Sequence, residues 1–257
     1  MNTVLFDPEE LGAPRGARLS ADDRRARHIL DVLGLGPGDS FRAGVVDGPA
    51  GSGRVVAVDA DGGVTVGFES GPAGELGEMR PLHPVRLLLG HPRPIVLRRM
   101  LRDLSTLGVE RIVVVRTALG EKSYLESRLW QGDIVRRLLI EGAEQAGSTM
   151  LPRVEKSRRL TDAIARVVEG RETAPRVVFD NAGSASGRAG VGGRTRPDGD
   201  AAARVIAVGS ERGWTDEERN LLGDHGFETL RLGSRILRTE TAAHVAVAVT
   251  LRDLGRI

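Results

Sequence analysis

Two short apolar runs, each closed by glycine and followed by a helix start, constrain this chain's fold more than any other feature. The first is Arg204-Val-Ile-Ala-Val-Gly209-Ser-Glu-Arg-Gly213-Trp-Thr215-Asp-Glu-Glu218. The second is Leu230-Arg-Leu-Gly233-Ser-Arg-Ile-Leu-Arg238-Thr-Glu-Thr-Ala242. Val205 to Val208 holds no polar residue, the mark of a strand covered on both faces. Thr215-x-x-Glu218 spells a capping box. Gly209 and Gly213 let the backbone turn sharply and approach a ligand closely. Two such crossings side by side would set glycine loops at the carboxyl ends of adjacent parallel strands, where open α/β sheets bind small molecules. Glycines alone are equally at home in ordinary strand–helix loops, so the chemistry has to come from their neighbours.

Several chemistries are excluded. There is no Gly-x-x-x-x-Gly-Lys-Ser/Thr phosphate loop, and Gly209-x-x-x-Gly213 lacks the dinucleotide spacing. No Gly-x-Ser-x-Gly elbow supports a hydrolase. His28, His83, His91, His225 and His244 are scattered without metal-ligand spacing, and there is no cysteine, so no metal site is expected. No apolar stretch approaches a membrane span, and Met1 to Glu10 lacks a signal-peptide pattern; the absence of cysteine fits a cytoplasmic protein. The net charge is only +2, yet lysine occurs just at Lys122 and Lys156 among 37 basic residues. Arginine suits bidentate phosphate recognition, although a compositional bias explains the same count. Aromatics at 3% argue against a platform stacking many bases.

The pattern changes along the chain. Ser20 to Gly34 reads as a helix capped by Ser20, with Ala26, Ile29, Leu30 and Leu33 on one face. Strands Phe41–Val46, Arg54–Val58 and Val64–Phe68 follow, with Asp61-Gly-Gly63 as a hairpin turn, and suggest a small β-barrel. Residues 71–81 read as a linker between a domain of residues 1–70 and one of residues 82–257. From Val85 onward strands alternate with helices: Val85–Leu89, a helix near Val96–Leu107, Arg111–Val115, a helix near Asp133–Ala146, Val177–Phe179 and Val205–Val208. That alternation predicts a parallel α/β sheet. Residues 181–202, rich in glycine, serine and arginine, read as a flexible insertion. Ala242, Val245, Ala246 and Val249 share one face of a last helix that is apolar nearly all round, which predicts its burial. Local rules alone draw an unknotted, doubly wound sheet.

The run Leu232-Gly233-Ser-Arg-Ile236-Leu237-Arg238-Thr239-Glu240-Thr241-Ala242 resembles the C-terminal signature of the ribosomal RNA small subunit methyltransferase E family. Further blocks agree in order: Arg27-His28-Ile-Leu-x-Val-Leu with Gly36-Pro-Gly-Asp39, Leu107-Gly108-Val109, and Glu141-Gly-Ala-Glu-Gln145-Ala-Gly147 with Leu151-Pro152. The chain departs from the family pattern at Ser210 and Arg212, where the pattern reads Gly-Pro-Glu-Gly-Gly. It departs again at Ser148 and Met150, where basic residues are usual, and at Asp103 and Thr106, where Lys and Glu are usual.

The resemblance implies a C-terminal SPOUT-type parallel sheet with a deep trefoil knot, preceded by a small PUA-like β-barrel that binds RNA. It implies a homodimer formed through the C-terminal domain, acting on 16S rRNA or the small ribosomal subunit. It also implies S-adenosyl-L-methionine as cofactor, held by Gly209, Glu211, Gly213, Leu232, Gly233, Ile236, Leu237 and Arg238. The reaction implied is methylation of uridine N3, for which the absent cysteine is no obstacle, because attack by a ring nitrogen needs no covalent enzyme intermediate. Arg238 would stabilise developing negative charge on the base. Glu240 or Glu211 would accept the N3 proton; Glu240 in a first helical turn equally suits the helix dipole. Candidate RNA contacts are Arg18, Arg27, His28, Arg42 and Arg137. Two other readings stand beside this one: a non-catalytic RNA-binding or ribosome-assembly factor that keeps the fold, and an α/β enzyme using another nucleotide cofactor.

Overall fold

The computed structural model describes residues 3–12, 16–70, 81–181 and 203–257. The expected linker and insertion lie, apart from Pro81 and Asn181, outside the described residues. The chain forms two units: Met1–Pro81 with Ile140–Leu151, and Leu82–Leu139 with Pro152–Ile257.

The first unit holds β1 (Val4–Phe6), β2 (Gly16–Leu19), β3 (Ser40–Val45), β4 (Ala50–Val58) and β5 (Val64–Ser70) in one sheet of order β1-β3-β4-β5-β2. Val64, Val66 and Phe68 alternate inward along β5 and meet Val4, Phe6, Leu19, Ile29 and Val55 in one core. β4 begins four residues before the expected Arg54, in the run Ala50-Gly-Ser-Gly53, whose glycines hide its strand character. The fold demands one of them: a Cβ at Gly53 would stand 2.5 Å from the Phe41 ring.

Two expectations need correction here. Ser20 does not cap the first helix. Asp23 does, its carboxylate accepting the Arg25 backbone N–H at 2.8 Å, and α1 (Arg24–Arg27) runs directly into a π-turn over His28–Val32. Asp23 wins because Arg25 also clamps it through the guanidinium, with Glu10 on the other side at 2.6 Å. The boundary also differs, since residues 140–151 belong to the first unit. The fully buried Glu144 accounts for this: its carboxylate accepts the Leu5 backbone N–H at 3.2 Å and pairs with Arg24 at 2.7 Å.

The second unit is a six-stranded sheet of β6 (His83–Gly90), β7 (Val109–Val115), β8 (Arg153–Ser157), β9 (Arg176–Phe179), β10 (Arg204–Val208) and β11 (Phe227–Leu230). Its order is β11-β9-β10-β6-β7-β8, and all five pairings are parallel. Every residue of β10 is buried, as the unbroken apolar run requires. The helices are α2 (Pro94–Thr106), α3 (Ile134–Ala146, crossing the unit boundary), α4 (Leu160–Val168), α5 (Asp216–Asp224) and α6 (Thr239–Asp253). The chain builds outward from β6 to β8, then resumes on the other side of β6, so the strand order reverses between β6 and β10.

The two glycine crossings are not on adjacent strands, because β9 lies between β10 and β11. Leu230 is the last residue of β11, so the apolar pair Leu230 and Leu232 spans the strand's exit rather than forming it. α6 also buries a different face from the one expected. Ala243, Ala246, Val247, Thr250 and Leu251 point inward, while Val245 is exposed. An apolar helix leaves its rotation open to packing, and contact with β10, β6 and α2 sets it.

At the opposite edge of the sheet Arg86 and Arg111 stand side by side in register. Arg86 donates to the carbonyls of Val167 and Glu169 and pairs with Glu110 at 2.6 Å; Arg111 reaches the Arg166 carbonyl and Glu169. Together they satisfy the carbonyls that the end of α4 leaves without helical partners.

Candidate functional site

The carboxyl ends of β9 and β10 and the segment entering α6 enclose a cavity of about 740 Å³. Its position beside the strand-order reversal is the crevice where open parallel sheets take ligands. Gly209, Glu211, Gly213, Leu232, Ile236, Leu237, Arg238 and Glu240 line it. Gly233, from the same set, is not part of the lining; its φ of +81° turns the chain between Leu232 and Ile236. Arg93, Phe179, Asp180, Trp214 and Arg219 complete the wall and have no signal in the sequence. Arg93, Phe179 and Asp180 come from other segments, and only the strand order brings them here; Trp214 belongs to the first crossing and Arg219 directly follows its capping box.

The loop after β10 is shaped by close packing. A Cβ on Gly209 would sit 3.0 Å from the Gly213 Cα, and one on Gly90 only 2.4 Å from the Ser210 nitrogen. Ser210 Oγ lies 3.0 Å from Thr117 Oγ1. Thr215 and Glu218 form the capping box reciprocally, and Glu218 also accepts the Ala118 N–H at 2.7 Å. The floor therefore rests on β6 and on the loop after β7.

The three acids on the wall differ in engagement. Glu211 Oε1 accepts the Arg93 backbone N–H at 2.8 Å, tying its loop to the start of α2. Asp180 accepts from Arg219 Nε at 2.7 Å. The side chain of Glu240, in the first turn of α6, makes no hydrogen bond or ion pair with the described residues, nor does that of Arg238 at the helix's N-cap position, whose carbonyl accepts the Ala242 N–H at 2.8 Å. The His91 imidazole lies just before Arg93, and burial holds it below its ordinary pKa. Its Nδ1 faces the Pro92 carbonyl at 2.6 Å and its Nε2 accepts from Trp130 Nε1 at 3.0 Å.

The candidate RNA contacts are dispersed. Arg18 pairs with Asp59 at 2.7 Å, and Arg27 donates to the carbonyls of Ala21 and Asp22. His28 and Arg42 are brought together, on a cleft of about 240 Å³ in the first unit. Arg137 is exposed on α3 in the second unit. Among the described residues no group of three or more His, Cys, Asp or Glu is placed to hold a metal ion, and no helix is long and apolar enough to cross a membrane.

Comparison with known proteins places this geometry. Residues 78–251 match the RNA methyltransferase domain family. The chain is 40% identical to the ribosomal RNA small subunit methyltransferase E of Treponema pallidum over 98% of its own length and 91% of that protein. It is 30% identical to that of Synechocystis, over 90% of the chain and 72% of the relative. The fold is shared with a ribosomal RNA small subunit methyltransferase E from Neisseria gonorrhoeae solved with S-adenosyl methionine, at a TM-score of 0.74 and 24% identity, covering 98% and 97% of the two chains. The chain therefore belongs to the ribosomal RNA small subunit methyltransferase E family of RNA methyltransferases.

Proposed function

We propose that this protein transfers a methyl group from S-adenosylmethionine to N3 of a uridine in 16S rRNA. The observation that carries the reading is the pair Arg238 and Glu240, one cation and one carboxylate on the same cavity wall, neither side chain paired with another among the described residues. The cavity suits the cofactor: its floor is made of close-packed glycine turns that bring backbone groups to the ligand, and its volume lies within the range of roughly 300–1,000 Å³ usual for such sites. When bound, the cofactor supplies an electrophilic sulfonium methyl group. The Gly209–Gly213 and Leu232–Leu237 loops hold it. Glu240 takes the N3 proton of uracil, which frees the nitrogen lone pair. Arg238 stabilises the negative charge that spreads onto the ring carbonyl oxygens. Glu211 keeps the loop shaped through its bond to Arg93, which leaves Glu240 as the base.

The same reading carries the finer architecture. The first unit is a PUA-like RNA-binding module. The segment 231–238 and α6 form the trefoil knot, supported by α6 packing on β10 and β6 although it follows edge strand β11. Two chains pair through the C-terminal unit in the cytoplasm, supported by the exposed Val245, Ile95 and Ile236 beside the cavity and α6.

The test is transfer to unmodified 16S rRNA, with the product nucleotide identified by mass spectrometry. N3-methyluridine at a single position is expected. A different methylated nucleoside would overturn the assignment. Binding of S-adenosylhomocysteine and rRNA with no methyl transferred would favour a non-catalytic assembly factor.

A further inference from the structure

Trp130, Lys156 and Arg158 border a second groove of the C-terminal unit, about 490 Å³ in volume. Ser157, the last residue of β8, also lines it. In an all-parallel sheet this puts the groove on the same edge as the cavity at β9 and β10. The chain has only two tryptophans and one tyrosine. Trp130 lines the groove, and its ring and that of Tyr124 lie with centroids 5.7 and 5.6 Å from the buried His91.

The groove is built in advance. Trp130 Nε1–H donates to His91 Nε2 at 3.0 Å, and the far side of that imidazole meets the Pro92 carbonyl. These contacts select the neutral tautomer protonated on Nδ1 and lock the indole in place. Lys156 Nζ lies 5.4 Å from the Trp130 ring centroid and donates to the Leu125 carbonyl at 3.0 Å. Arg166 is held by the Lys156 carbonyl at 3.3 Å. The Arg158 side chain is 78% exposed, and its ion-pair partner Glu126 is 3.8 Å away and 73% exposed. Such an exposed pair is weak and gives way to a better anion. Asp162 is the other acid on the rim.

We propose that this groove binds a single-stranded nucleotide of the RNA substrate beside the target uridine, its base against Trp130 and its phosphate on Arg158 and Lys156. An aromatic face with flanking cations is how unpaired bases are held, and the volume suits one nucleotide rather than a duplex. This site rests on the chain acting on RNA but requires none of the catalytic assignments above.

The experiment uses the full-length protein, 16S rRNA transcript and two variants, Arg158→Glu and Trp130→Phe. Arg158→Glu is expected to raise KM for RNA about tenfold and to lower the salt dependence of RNA binding by about one phosphate contact. Turnover at saturating RNA stays within about twofold, and calorimetric affinity for S-adenosylhomocysteine is unchanged, as expected for a contact remote from the reacting centre. RNA quenches tryptophan fluorescence strongly in the parent protein and much less in Trp130→Phe, where the remaining Trp214 is buried on the wall of the first cavity. An unchanged KM and salt slope in Arg158→Glu, or quenching undiminished in Trp130→Phe, overturns the proposal. If the parent protein transfers no methyl group to rRNA, the functional reading fails instead, and quenching by RNA still reports on the groove.

Discussion

Glu144 and Arg24, 120 residues apart in sequence, form a 2.7 Å ion pair in which the carboxylate is wholly buried and the guanidinium is about half exposed. Burial raises the Glu144 pKa above its ordinary value despite the arginine beside it. The folded state therefore holds the proton more tightly than the unfolded chain. Stability is fully present below the ordinary carboxylate pKa and is lost as pH rises through the raised one. Replacing Arg24 with alanine leaves a buried charge uncompensated and should cost about 1–3 kcal/mol at neutral pH, with part of the loss recovered on acidification. Urea melts of the variant at two pH values check this; a loss independent of pH would contradict it.

Glu144→Gln keeps an acceptor for the Leu5 N–H. It should be milder than Glu144→Ala by about 1–2 kcal/mol, because alanine orphans a buried donor. Thermal unfolding of the two variants side by side gives the comparison.

Glu240→Gln removes the proposed proton acceptor and leaves the shape of the cavity intact. Turnover should fall about 10²–10⁴-fold with S-adenosylhomocysteine affinity unchanged. Glu211→Gln should behave differently. It weakens the bond to Arg93 and so lowers cofactor affinity more than turnover. Equal turnover losses in both would undo the division of roles.

Gly90→Ala places a Cβ 2.4 Å from the Ser210 nitrogen and 2.8 Å from Thr117 Cγ2. The loop after β10 must yield. Overpacking of this kind costs about 1–3 kcal/mol, and if the cavity absorbs half of it, cofactor affinity drops about tenfold. Calorimetry with S-adenosylhomocysteine measures the drop. Gly233→Val acts through the backbone instead, since φ of +81° is strained for a β-branched residue, and should abolish binding while the far-ultraviolet dichroism is retained.

Arg86→Met should lower stability by about 2–3 kcal/mol without altering cofactor affinity. It strips a charged donor from two carbonyls at the end of α4 and takes from Glu110 its closer cation, leaving Arg171 at 3.6 Å. A measurable change in S-adenosylhomocysteine binding would show that this edge of the sheet communicates with the other.

The local chemistry of the last fifty residues was readable directly. The apolar run Val205–Val208 had to be a covered strand, and Thr215 with Glu218 had to cap a helix, because both effects act over a few neighbouring residues. The clustering of Gly209, Glu211, Leu232 and Arg238 was legible through the C-terminal signature that holds Leu232 and Arg238 and the glycine crossing that holds Gly209 and Glu211. Other features were decided only by tertiary structure. Arg93 and Asp180 reach the cavity through strand order, and Glu211 meets Arg93 across 118 residues. Residues 140–151 leave the domain their sequence position suggests because a buried carboxylate must find a donor and a cation, and Leu5 and Arg24 provide them. Asp23 displaces Ser20 as a cap for the same kind of reason, since the Arg25 guanidinium donates to it and is itself held in place by Glu10. Patterns of period two and 3.6 specify which stretches become strands and helices. Which polar groups meet depends on partners far along the chain, and only packing determines those.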